Sequence, residues 1–343
     1  MSILREGGMG RWIVGVAVGC ALWLAWPGGA AAQDLSPHRQ RMIAVGGGHL
    51  QLLDWGGTGD AIVLVHGSGG SPHTFDEIGP LLVQMSGRRV IAVTRRGHGR
   101  SEAPPGPFGI DDLVDDLRAA LDSAGVARAW LVGYSYGGNE ITRFAERLPE
   151  RTRGLVYLDA TTDYTDSTVL AAYGRMPAGE PPSQEELRSY VGYVRWLRRA
   201  QLPDVPWGPT LEATSRDELD IAGDGSMRPR AAEVMSSMGT IAMTYRRAYD
   251  ALRMPVLFIY GEHRVAPSTF ASDTARTRAL REWEARDFGP RQQATRARIA
   301  RELPAARVVT IPGTAHTSLL FVGRDVIVRE ILRLVGGAPP RAP

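Results

Sequence analysis

The sequence predicts an α/β protein: a mostly parallel sheet with helices on both faces, interrupted by an inserted helical cap. Three observations lead there. Short runs of Ile, Val and Leu recur through residues 41–160 and 254–338 with helical patterns between them, the alternation expected of strand–helix–strand units. Several runs are apolar without a break, as in strands buried on both faces. From the third run onward, each is followed by residues bearing Gly, His or Asp, at the strand ends where such sheets hold their ligands.

The elements follow in order. Residues 42–45 and 50–55 read as two strands joined by the turn Gly46-Gly47-Gly48. Residues 62–65 are a continuous Ile-Val-Leu-Val strand leading into His66-Gly67-Ser68-Gly69-Gly70, and 90–93 repeat the pattern before Arg95-Arg96-Gly97-His98-Gly99. Apolar residues at 110, 113, 114, 117 and 121 form one face of a helix. Residues 130–132 and 155–158 are two more buried strands, separated by a helix over 138–148 that Pro149 ends. Residues 256–260 and 308–311 supply the last two strands, and 325–335 a closing helix. Residues 161–253 break the alternation and read as the cap. There Ser183 and Glu186 form a capping box that opens a helix through Arg199, and a second helix is expected over 231–252. A further Arg- and Ala-rich helical insertion is expected over 269–303.

At the N-terminus, Arg5 and Arg11 precede an apolar run over 12–26, followed by Pro27-Gly28-Gly29-Ala30-Ala31-Ala32. A basic segment, an apolar segment of about 15 residues and small residues at the end make a signal peptide over 1–32. The apolar run is shorter than the about 20 residues that span a bilayer, so no stable span is expected after cleavage. The expectation is a secreted or periplasmic protein of 343 − 32 = 311 residues.

Composition narrows the partners. All 40 basic residues are Arg, set against 37 acids for a net charge of +3. They are interspersed with acids, as in Arg281-Glu282-Trp283-Glu284-Ala285-Arg286, which argues against a nucleic-acid partner. The single cysteine, Cys20, falls within the predicted signal peptide and excludes a disulfide framework and a thiolate metal site. A dinucleotide fingerprint starting at Gly67 would need Gly where Pro72 stands, and neither a P-loop nor an H-E-x-x-H motif occurs. No cofactor and no metal are expected.

Gly133-Tyr134-Ser135-Tyr136-Gly137 has the form G-x-S-x-G and lies between a strand and a helix. Glycines two before and two after the serine suit a sharp strand-to-helix turn, which exposes the hydroxyl at the top of the sheet. Of seven histidines, His38 and His49 precede the core strands, and His73, His98 and His263 sit in loops where backbone hydrogen bonding explains them; His66 reads as a loop brace. His316, in Gly313-Thr314-Ala315-His316, follows the last strand and is the candidate general base.

With His66-Gly67, the serine motif and Gly313–His316 in place, residues 41–335 resemble the α/β-hydrolase superfamily; the stretch Thr94-Arg95-Arg96-Gly97-His98-Gly99-Arg100-Ser101 resembles a structural turn of that family. The resemblance implies a carboxylesterase-like serine hydrolase acting on a small-molecule ester or amide, and the N-terminal pattern adds that it is secreted. Ser135 would be the nucleophile, His316 the base, and the N–H groups of Ser68 and Tyr136 the oxyanion hole. The chain departs from the family at the triad acid. The usual Gly-Glu-x-Asp after the seventh strand is here Gly261-Glu262-His263-Arg264. Asp159, at the end of the sixth strand, is the expected acid; Glu262 is the alternative, and an acid in the inserted segments a third. An exopeptidase or amidase of the same fold, or a low-turnover binding protein that keeps the triad, are the rival readings.

Overall fold

The computed structural model describes residues 36–271 and 273–336; the predicted signal peptide and the last two residues of the expected 254–338 core segment lie outside them. Eight strands form one sheet: β1 (Arg39–Val45), β2 (Gly48–Gly56), β3 (Thr58–Val65), β4 (Arg88–Val93), β5 (Ala129–Tyr134) and β6 (Thr152–Leu158), followed after a gap by two more. In the gap, β7 (Leu219–Ile221) and β8 (Met227–Pro229) pair only with each other; the sheet then resumes with β9 (Val256–His263) and β10 (Arg307–Ala315). The strand order is β1-β2-β4-β3-β5-β6-β9-β10, and every pairing from β4 to β10 is parallel.

The unbroken apolar runs have a direct cause. Successive side chains of a strand point to opposite faces, and both faces are covered. Val63, Val65, Leu131 and Tyr157 pack on one side with Val114 and Leu117 of α2 (Ile110–Ser123) and Ile141 and Phe144 of α3 (Gly137–Arg147). Ile62, Leu64, Val132 and Val156 pack on the other with Leu82 of α1 (Gly79–Ser86) and Ile327 and Ile331 of α11 (Arg324–Val335).

Register positions the site. Val65 lies opposite Gly133, Tyr134 opposite Leu158, and Leu158 opposite Ile259. The carboxyl ends of β3, β5 and β6 are therefore level, β9 runs on beside them to His263, and the residues that follow open onto one edge.

Residues 159–255 carry α4 (Ser167–Gly174), α5 (Tyr190–Ala200), α6 (Pro209–Asp217) and α7 (Met235–Thr244). Two expectations are corrected here. The capping box forms, with Ser183 N–H donating to Glu186 (2.8 Å) and Glu186 N–H to Ser183 Oγ (3.1 Å), but the helix it opens stops after Glu186–Arg188. Ser189 is extended (φ −151°, ψ 147°) and caps a separate helix, α5, by accepting from Gly192 N–H; a second cap resets the chain direction. The helix expected over 231–252 is only the ten residues of α7. The chain leaves it at Tyr245, which reaches Glu146, and Arg247, which donates to the carbonyls of Ala160 (2.7 Å) and Thr162 (2.5 Å). Satisfying a buried guanidinium outweighs continuing the helix. The later insertion is helical as expected, with α8 (Ala275–Trp283) and α9 (Gly289–Glu302) joined by a π-helical turn, and α10 (Leu319–Val322) precedes α11. No helix among the described residues is long and apolar enough to cross a membrane.

Candidate active site

Ser135 sits one residue beyond β5 with φ +52°, a left-handed conformation for a residue with a Cβ. The flanking glycines allow it. A Cβ on Gly133 would stand 2.7 Å from the Gly137 carbonyl, and one on Gly137 would stand 2.3 Å from the Val65 oxygen. Both clashes are with backbone, so no rotamer change would relieve them. The turn is held by Ser135 N–H donating to Leu158 O (3.0 Å), which ties the elbow to the strand that ends in Asp159.

Asp159 is the one other described non-glycine residue with positive φ (+46°). Its N–H donates to Ile259 O (2.7 Å), and its carboxylate Oδ2 lies 2.5 Å from His316 Nδ1. His316 Nε2 lies 3.1 Å from Ser135 Oγ. With its proton on Nδ1, the imidazole donates to Asp159 and accepts from the serine hydroxyl. Glu262, the alternative acid, turns elsewhere: its half-exposed carboxylate accepts from Gly313 N–H (2.8 Å) and faces His263 (3.4 Å).

Burial lowers the pKa of His316, the positive charge of Arg264 lowers it further, and Asp159 opposes both; the net shift is downward. Tyr134, the residue before the serine, fixes the histidine from below. Its ring stacks on the imidazole at 5.3 Å and its hydroxyl donates to the His316 carbonyl (2.7 Å).

The loop after β3 is braced by His66, as expected from the sequence, and by Arg95, whose role the sequence did not disclose. Arg95 donates to the carbonyls of His66 (2.7 Å) and Gly67 (3.1 Å) and to Glu140 Oε1 (2.5 Å). His66 accepts from Arg95 N–H (3.0 Å) through Nε2 and donates from Nδ1 to Gly67 O (2.8 Å). Burial, and then the neighbouring Arg95, hold His66 well below its ordinary pKa, so it stays a neutral brace. Gly67 is packed close to the elbow, a Cβ there standing 3.1 Å from that of Ser135. Ser68 and Tyr136 border the same cavity as Ser135, and Tyr136 immediately precedes α3, whose first amides carry the positive end of the helix dipole.

That cavity, of about 210 Å³, takes Met235, Met238, Gly239 and Ala242 of α7 into its lining. Its charged lining is Asp159, Arg247, Arg264 and the titratable His316. Among the described residues, the group suited to a metal is elsewhere: His38, His73 and Asp76, with donor atoms within 4.8 Å of one another. His73 is already hydrogen-bonded to Asp76 (2.8 Å), and none of the three borders the serine's cavity.

Residues 60–189 match the family model described as the alpha/beta hydrolase fold. A 2-(acetamidomethylene)succinate hydrolase of Mesorhizobium japonicum is 27% identical over 230 residues, 66% of this chain and 78% of that protein. An sn-1-specific diacylglycerol lipase of Mus musculus is 28% identical over 272 residues, 77% of this chain and 78% of its own length. The crystal structure of E-2-(acetamidomethylene)succinate hydrolase superposes with a TM-score of 0.65 at 23% identity, covering 88% of this chain and all (100%) of that one, a likeness of fold. The chain belongs to the α/β-hydrolase superfamily and is, in the general sense, a hydrolase.

Proposed function

We propose that the protein is a serine hydrolase that cleaves a small-molecule carboxylic ester through an acyl-enzyme on Ser135. The observation that carries this reading is the unbroken line Asp159–His316–Ser135, with contacts of 2.5 and 3.1 Å at the open end of the sheet. Neutral His316 takes the hydroxyl proton as Ser135 Oγ bonds to the ester carbonyl carbon. The carbonyl oxygen becomes an oxyanion, which the N–H groups of Ser68 and Tyr136 stabilise. The C–O bond to the alcohol then breaks and His316 returns the proton to the departing oxygen. Water, deprotonated by the same imidazole, releases the acid and restores the serine. Asp159 holds the reactive tautomer and offsets the positive charge that His316 gains. A cavity of about 210 Å³ suits a small substrate.

Turnover of a p-nitrophenyl ester panel, with labelling by a fluorophosphonate, tests the reading. Ser135→Ala should lose labelling and lower kcat by at least about a thousandfold while keeping its melting temperature. Activity within about tenfold of wild type would remove Ser135 as nucleophile. Asp159→Asn should also cost orders of magnitude through the wrong imidazole tautomer, and Glu262→Gln should cost little; the reverse ranking would transfer the acid's role to Glu262. We also propose that the enzyme works outside the cytoplasm, supported by the pattern of residues 5–32 alone. N-terminal sequencing of the protein from its native host should begin near Gln33, and a chain that still retains Arg5 would refute this.

A further inference from the structure

Arg264 occupies the place where the family pattern puts a carboxylate, and its side chain has an unusual situation. It borders the cavity that holds Ser135 and His316, and also a smaller adjoining one of about 40 Å³. Its backbone N–H is taken by Glu284 (2.8 Å), but its guanidinium has one directed contact among the described residues, over the face of Tyr173 at 5.5 Å. The other cation of the cavity, Arg247, is fully engaged on the carbonyls of Ala160 and Thr162. The one carboxylate of the lining, Asp159, is committed to His316. The cavity thus carries two guanidinium charges against one carboxylate, with one guanidinium holding no acceptor. An enclosed charge without a hydrogen-bonded partner is costly, and a planar fork of N–H donors suits a carboxylate, which it can bind through two parallel bonds. The same lining includes the apolar side chains of Met235, Met238 and Ala242.

We propose that Arg264 binds a free carboxylate of the substrate, so that the enzyme selects esters or amides that carry a free carboxylate together with an apolar portion. This rests on the Ser135 hydrolase reading for its chemistry but not for its binding site, and the two fail separately. No new bond is made at Arg264; the carboxylate stays ionised, and the reaction is the hydrolysis already described.

The test compares matched substrates. One pair places the charge on the acid side: mono-p-nitrophenyl succinate against its neutral methyl ester. The other places it on the alcohol side: 4-acetoxybenzoate against methyl 4-acetoxybenzoate. In the wild type, kcat/KM for the charged member of at least one pair should exceed that of the neutral member by at least about tenfold, the scale of one charge-assisted hydrogen bond. In Arg264→Gln that ratio should fall below about threefold, and Arg264→Lys, which keeps the charge but not the fork, should lie between. The ratio is the readout, because any loss common to both members cancels. No preference in either pair, or an equal loss on both members in Arg264→Gln, would overturn the proposal and leave Arg264 as a positioning residue for His316. Should Arg264→Gln fail to fold, Arg264→Lys carries the comparison: a ratio below that of the wild type supports the proposal, and an unchanged ratio overturns it. Binding of monomethyl succinate to Ser135→Ala, followed by calorimetry with and without Arg264→Lys, separates the two readings. Binding weakened by the second substitution, with no ester turned over by the wild type, would sink the hydrolase reading and keep the carboxylate site. Ester turnover without Arg264-dependent binding or preference would do the opposite.

Discussion

His316 is pulled in two directions, and the outcome has a measurable sign. A base must be neutral to accept a proton, and burial together with Arg264 lowers the imidazole pKa while Asp159 raises it, with the lowering prevailing. The neutral form therefore persists to lower pH than in a free imidazole. For a neutral ester, whose own charge does not titrate, the acid limb of kcat/KM should have its midpoint below the ordinary value of about 6.5. Removing the positive neighbour in Arg264→Gln should move that midpoint upward. A wild-type midpoint above 7 would contradict the balance described here. The same residues show how far a local pattern reaches and where it stops. Ser135, Asp159 and His316 each follow a strand within a short recognisable motif, so local pattern sufficed to nominate them. Tyr134 supports a carbonyl 182 residues away, and Arg95 meets Glu140 across 45 residues; such partnerships exist only once the chain has folded.

At the scale of elements, the strands and core helices were legible because burial on two faces leaves an apolar pattern. The cap was less so, since its boundaries depend on polar commitments such as Ser189 capping α5 and Arg247 reaching the β6 loop. One of its carboxyls makes a prediction. Glu218 follows α6 directly, and burial, with the charge of Asp217 adding to it, pushes its pKa from 4.5 up to about 8. The folded protein therefore keeps a proton on Glu218, between pH of about 4.5 and about 8, that the unfolded chain gives up. The sign follows: this contribution is fully present below the unfolded pKa and is lost as pH rises through the folded one. Glu218→Gln, which stays neutral at every pH, should melt close to wild type at pH 4 and above it at pH 9. Melting curves at the two values check this, and a variant that gains nothing at pH 9 would show that the carboxyl is not held protonated.

Across the whole molecule, the carboxyl ends of the parallel strands bring together residues as distant as Ser135, Asp159 and His316, and the segment between β6 and β9 contributes α7 to the cavity they line. The positive φ of Ser135 and of Asp159 has a further consequence. Each such conformation costs a residue with a Cβ on the order of 1 kcal/mol or more, and glycine would escape it. Ser135→Gly should therefore melt higher than Ser135→Ala, by a few degrees at most for a chain of this size, although the proposed mechanism makes both inactive. Equal melting temperatures would mean that the elbow stores no strain. If it does store it, thermal tolerance and the proposed turnover are opposed at two of the three residues of the proposed triad. A library of variants sorted only for survival of heating would then drift toward glycine at both, and its hardiest members would be inert.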